Sequence, residues 1–258
     1  MGLFDLASPL LTPVDHLLAI LLPLWLRLLF WGFLAALLTM QLFKKLSRQE
    51  AIGELKLQVK ANQAKMAAFD GEMGDLMPLI GSTLKLAFRQ LGLSLGPALL
   101  SSIPVIFLLV WLSNSFGHHL PGGGQAVAIQ METSPPEAPS GLAWQPADAV
   151  LEASGQGWRV SWPDAGQTLQ LREQSLTLLN LPLSAASPVV HKKQWWNSLI
   201  ANPAGYLPAA SNVDALRIGL TKQTVLAFGP GWMQGWMFTF FLAFLVFAVA
   251  LKFILKIE

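Results

Sequence analysis

The chain has 258 residues, a formal charge of +2, 53% hydrophobic residues and only 12% charged ones. Soluble domains carry about 25% charged residues, so the depletion is roughly twofold and argues for a bilayer rather than water as solvent. There is no cysteine, which excludes disulfides and thiolate metal sites.

Residues 17–43 form the first apolar run, 27 residues with Arg27 as the single charge. About 20 apolar residues span a hydrocarbon core, so this run predicts one membrane helix. It lacks a basic region in front and is followed by Lys44, Lys45 and Arg48, so it reads as an uncleaved anchor and not a signal peptide. An arginine near the middle of a span is costly. Two readings follow: Arg27 lies in a hydrated intramembrane groove, or the span starts later and the side chain snorkels to the headgroups.

Next comes a basic, polar stretch. Ile52, Leu55, Val59, Asn62, Met66 and Phe69 recur at spacings of 3 and 4, one seam of a coiled coil with Asn62 as a polar interruption. Asp70-Gly71 breaks it. Met73, Leu76, Met77, Ile80, Leu84, Ala87, Phe88 and Leu91 then mark an apolar face on a second helix. The two should pack as an antiparallel hairpin over residues 44–91, ended by Gly92, Gly96 and Pro97. Met66, Met73 and Met77 gather at its tip, where flexible thioethers suit contact with varied apolar clients or packing within the hairpin itself.

A second span is predicted within residues 92–116, centred on the apolar run 98–112. Residues 117–231 should form a separate β-rich domain with a Trp-rich core. Its candidate strands are Trp158–Trp162, Leu169 and Leu171, and residues 175–183, 215–220 and 224–228. His118 and His119 adjoin a glycine run. Adjacent side chains rarely converge on one ion, so an exposed polar loop is the better reading and no metal, catalytic group or other cofactor is assigned. The chain is not read as an enzyme. Residues 232–258 hold the third span, whose core, 232–251, is uncharged.

Orientation follows from the basic residues. Residues 44–89 contain eight, the tail before the first span none, and Lys252 and Lys256 follow the last span. The positive-inside rule places the N-terminus (domain 1–43) outside, the hairpin inside, the β domain outside and the C-terminus in the cytoplasm. A prokaryotic plasma (inner) membrane is the expected location. The polar groups in or beside the spans, Arg27, Thr39, Gln41, Ser101, Ser102, Gln234 and Thr239, are candidates to line a groove; helix–helix contact is the other role open to them.

The order of these parts, and the stretches 41–69, 91–112 and 229–257, resembles the YidC-type insertase superfamily, most of all its small archaeal-type members and the third subunit of the ER membrane protein complex. The resemblance implies a membrane protein insertase or chaperone. Through a hydrophilic groove it would lower the barrier to translocating polar flanks of client segments, without nucleotide hydrolysis. Implied partners are the lipid bilayer, nascent or client membrane proteins, and a ribosome or other membrane subunits; no nucleic-acid signature is present. A rival reading is a non-catalytic scaffold subunit that binds a partner through the β domain. A solute transporter is a distant third, since three helices rarely enclose a pathway alone.

Overall fold

The computed structural model describes residues 2–71, 73–133 and 141–256. Among the described residues, four helical segments are long and apolar enough to cross a membrane: Leu3–Leu21, Leu24–Leu46, Leu76–Phe116 and Trp236–Leu255. A separate β-sheet domain accompanies them. The chain divides into two compact units, one from the N-terminus to Arg27 with Phe107–Thr239, the other Leu28–Ile106 with the C-terminal segment from Phe240.

In the first unit, a 3-10 turn over Leu3–Ala7 leads into helix α1, Ser8–Leu21. The expected single helix over residues 17–43 is instead broken. Pro23 disfavours helical geometry at Leu22, which is extended at ψ 134°, and helix α2 (Leu24–Leu46) starts afresh.

Among the described residues the β domain has eight strands: β1 (Ala126–Glu132), β2 (Leu142–Gln145), β3 (Val150–Ser154), β4 (Gly157–Ser161), β5 (Leu169–Glu173), β6 (Leu176–Leu181), β7 (Val189–His191) and β8 (Ala215–Ile218). They form a five-stranded sheet ordered β3-β4-β1-β8-β7 and a three-stranded sheet ordered β2-β5-β6, with every pairing antiparallel. Alternation drives the burial. Along β1, Val127 and Ile129 turn inward between exposed neighbours, and Ile129 sits opposite both Trp158 and Ile218. The core joins Val127, Ile129, Trp144, Val160, Trp162, Leu169, Leu171 and Leu216, with Trp144 edge-on to Trp158 at 5.9 Å.

Four of the expected strands are present as β4, β5, β6 and β8. The fifth, at 224–228, is irregular: Val225 and Leu226 both donate to the Gln234 carbonyl, which closes a loop around Gly229-Pro230-Gly231.

The second unit holds most of α2, helix α3 (Gln49–Ala67), most of helix α4 (Met73–Phe116) and most of helix α5 (Trp236–Leu255). Here α2 and α5 run parallel. Gly32 faces Ala243, Ala36 clusters with Ala248, and Lys44 donates to the Leu255 carbonyl at 2.7 Å, so contacts advance in step along both helices. The approach demands a glycine: a Cβ on residue 32 would lie 2.7 Å from that of Ala243 and 3.1 Å from the Phe244 nitrogen. Small residues let apolar helices pack this closely without a hydrophobic driving force.

The expected separation of a hairpin helix from a second span at Gly92–Pro97 does not occur. Helix α4 continues through Pro78, Pro97 and Pro104 for 44 residues, roughly 66 Å at 1.5 Å per residue.

Candidate functional site

The seam on α3 is real at its start: Ile52 and Leu55 are buried. Near its other end, Asn62 Nδ2 donates to Ser82 Oγ at 3.2 Å and Thr83 Oγ1 lies 3.7 Å from Met66 Sδ. The apolar face of α4 behaves differently. Met77, Ile80, Leu84, Phe88, Leu91, Leu95, Leu99, Ile103 and Ile106 follow at spacings of 3 and 4 and all remain exposed, Phe88 to 64% and Leu99 to 61%. One exposed apolar stripe thus begins at Met77, passes Lys85 and Arg89 and continues into the apolar run. Met73 opens α4, but its side chain lies outside the described residues.

Arg27 is neither alone nor directed to open solvent. Its guanidinium grips Asp15 with both prongs: Nε donates to Oδ1 at 3.0 Å, and Nη2 donates to Oδ2. The guanidinium carbon also lies 5.1 Å from the centre of the Phe116 ring. Close by in the same unit, Trp111 Nε1 donates to Thr12 Oγ1 at 3.0 Å. Helix α1 is thereby tied by its polar residues to the first turn of α2 and the last turns of α4, while Leu6, Leu10, Leu17, Ile20 and Leu21 point outward.

The other groove candidates are dispersed. Thr39 Oγ1 donates to the Ala35 carbonyl, Ser101 Oγ to Ala98 and Ser102 Oγ to Leu99, each within its own helix. Gln41 is exposed. Gln234 precedes α5 and donates to the Gly229 carbonyl at 2.9 Å, fixing the loop. Thr239 is buried and its Oγ1 has no hydrogen-bond partner. Among the described residues, no hydrogen bond joins any two of these candidates. Arg27, Gln234 and Thr239 fall in one unit, and Thr39, Gln41, Ser101 and Ser102 in the other.

No protein-family model, curated protein or solved structure matches this chain.

On the β domain, an open polar cavity of about 560 Å³ lies over β1, β3, β4 and β8, rimmed by the ion pairs Arg217–Glu132 and Arg159–Glu152. Below it in sequence, His118 pairs with Lys222 as an isolated bridge, and burial, with Lys222 nearby, holds its imidazole below the ordinary value.

The Asp15–Arg27 pair escapes sequence reasoning because the partners flank the Pro23 break and share no helix face. Once a break at Leu22-Pro23 is inferred, an acid in the preceding helix becomes the natural partner for Arg27.

Proposed function

We propose that this chain is a membrane protein insertase or membrane chaperone of a prokaryotic plasma membrane, with α4 as its client-binding element. The observation that carries this reading is the unbroken exposed stripe from Met77 to Ile106. By charge its first half belongs to a basic cytoplasmic arm, where an apolar face in water signals a binding surface. Its second half lies in the apolar run. A client's apolar segment can therefore slide from arm to bilayer along one helix face without meeting a polar interruption.

Three spans, α2, the apolar part of α4, and α5, fit this reading better than four. Asp5 near the start of α1 accepts from the Asn202 backbone nitrogen of the β domain at 2.8 Å. The far end of α1 turns into α2 beside Phe116, ten residues before β1 begins. Both ends of the Leu3–Leu21 segment thus belong to the β-domain side, which argues against its crossing the bilayer. The basic ends of α2 and α5 lie together through Lys44 and Leu255, which supports a common cytoplasmic side.

Photocrosslinkers at Leu84, Phe88 and Leu95, with exposed Gln63 as control, test the reading on stalled nascent membrane proteins. Crosslinks from varied nascent segments to the three stripe positions are expected. A single constant partner, or none, would replace the insertase by the scaffold reading, which the polar cavity on the five-stranded sheet favours as a docking place.

A further inference from the structure

The segment between β7 and β8 is built inside-out for water. Asn197 is buried and closes it: its Oδ1 accepts from the Gln194 nitrogen at 2.9 Å, its Nδ2 donates to the Lys192 carbonyl at 2.6 Å, and its carbonyl accepts from Tyr206 Oη and Asn202 Nδ2. With the polar groups consumed inside, Trp195, Trp196, Leu199 and Ile200 face outward, Trp195 to 85%. The exposure is a product of the hydrogen-bonded frame, not of a loose chain.

This outward face continues an apolar surface whose solvent is already indicated. Asp5 Oδ2 accepts from both the Gly2 and the Asn202 backbone nitrogens, at 2.7 and 2.8 Å. Gly2 lies so close to residue 200 that a Cβ there would collide with the Ile200 carbonyl oxygen. The loop is thereby clamped to the N-terminal turn, whose exposed Leu3 and Leu6 lead into the leucines of α1. One residue from Asp5, Phe4 packs on Phe107 with ring centres 5.1 Å apart. Phe107 is not at the end of α4; it lies nine residues before Phe116 and five before the end of the apolar run. That is roughly 13 Å back along the helix, so the clamp draws the loop down to the level of apolar α4 sequence.

We propose that residues 193–200 insert into the interfacial layer of the bilayer leaflet on the β-domain side, anchoring the domain to lipid beside α1. The side chains suit that layer. Indole rings favour the region between acyl chains and headgroups, Trp196 keeps its Nε1 satisfied by Gln194 Oε1 at 2.5 Å, and Lys193 supplies an exposed cation at the rim for lipid phosphate. The proposal is independent of whether the chain inserts clients.

The absence of cysteine makes the test direct. Trp195→Cys and Leu199→Cys, each in the full chain, carry one nitroxide in nanodiscs of phosphatidylcholine and phosphatidylglycerol. Leu151→Cys on edge strand β3 is the aqueous reference. Collision rates with oxygen and with a water-soluble nickel chelate are measured. Nickel access at 195 and 199 should fall several-fold below that at 151, with oxygen access raised. Equal nickel access at all three sites would overturn the proposal. So would spin–spin broadening at 195 or 199 that disappears, together with the shielding, on dilution with unlabelled protein, since a second copy would then be the cover. Should Leu199→Cys fail to fold, Trp195→Cys carries the test alone, its ring being almost fully exposed.

Discussion

Arg27 and Asp15 form a two-pronged ion pair across the Leu22-Pro23 break, with only 17% and 5% of their side chains exposed. An arginine that would be expensive in a bare apolar helix is thus neutralised by a neighbour twelve residues earlier, and the same contact ties α1 to the first turn of α2. Arg27→Ala leaves the Asp15 carboxylate buried without its cation, and the expected loss of stability is about 3–5 kcal/mol. Asp15→Asn with Arg27→Gln removes both charges and should recover most of it. Thermal unfolding of the three proteins in one detergent measures the difference. A single Arg27→Ala variant as stable as the parent would show that the pair does not hold the two helices.

The contact between α2 and α5 makes a paired prediction at two glycines. Gly32→Val must push against Ala243 and the Phe244 backbone, so overpacking should destabilise by about 1–3 kcal/mol. Gly96 sits in α4 with open space where its Cβ would be, and Gly96→Ala should be neutral or stabilise by up to about 1 kcal/mol through helix propensity. Denaturation in mixed micelles separates the two. Equal effects at both positions would mean that α2 and α5 do not rely on close approach.

Much of this architecture was legible from pattern alone, and the failures have physical causes. Alternation at Trp158, Val160 and Trp162 marks β4 because one face of that strand meets a core and the other does not. The seam at Ile52 and Leu55 is readable for the same reason on a 3.6-residue period. Strand β1 was missed because AVAIQME carries little β-branched sequence and emerges from a glycine-rich loop; its place in mid-sheet comes from pairing with β4 and β8, far along the chain. Of the groove candidates, hydroxyl residues were identifiable as polar, but composition does not tell that Thr39, Ser101 and Ser102 spend their protons on carbonyls one turn back. Asp5 and Asn202 are 197 residues apart, and no local signal links them.

His118 supplies a pH dependence outside the spans. Burial, then Lys222, holds its folded pKa below the ordinary value of about 6.5. Between those two values the unfolded chain binds more protons than the folded one, so stability should fall as pH drops below about 6.5 and level off once both states are charged. Proton uptake there sets an imidazolium against the Lys222 ammonium, beside the backbone bridge that joins the two residues. His118→Gln should flatten the pH profile of thermal unfolding between pH 5 and 7. A profile unchanged by that substitution would assign the dependence to another group.

Thr239 distinguishes a wet interior from a dry one. Its Oγ1 is buried and has no hydrogen-bond partner, and an unsatisfied buried hydroxyl costs about 1–3 kcal/mol. Thr239→Val keeps the shape and removes the hydroxyl. In a dry site the variant should be more stable by roughly 1 kcal/mol and should crosslink to clients from Phe88 as well as the parent does. A hydrated groove at this position reverses both expectations, because the hydroxyl would then have water to bond and the client's polar flank would lose a partner. Measured together, unfolding and crosslinking of this one variant therefore decide whether Thr239 belongs to a client path or to helix packing.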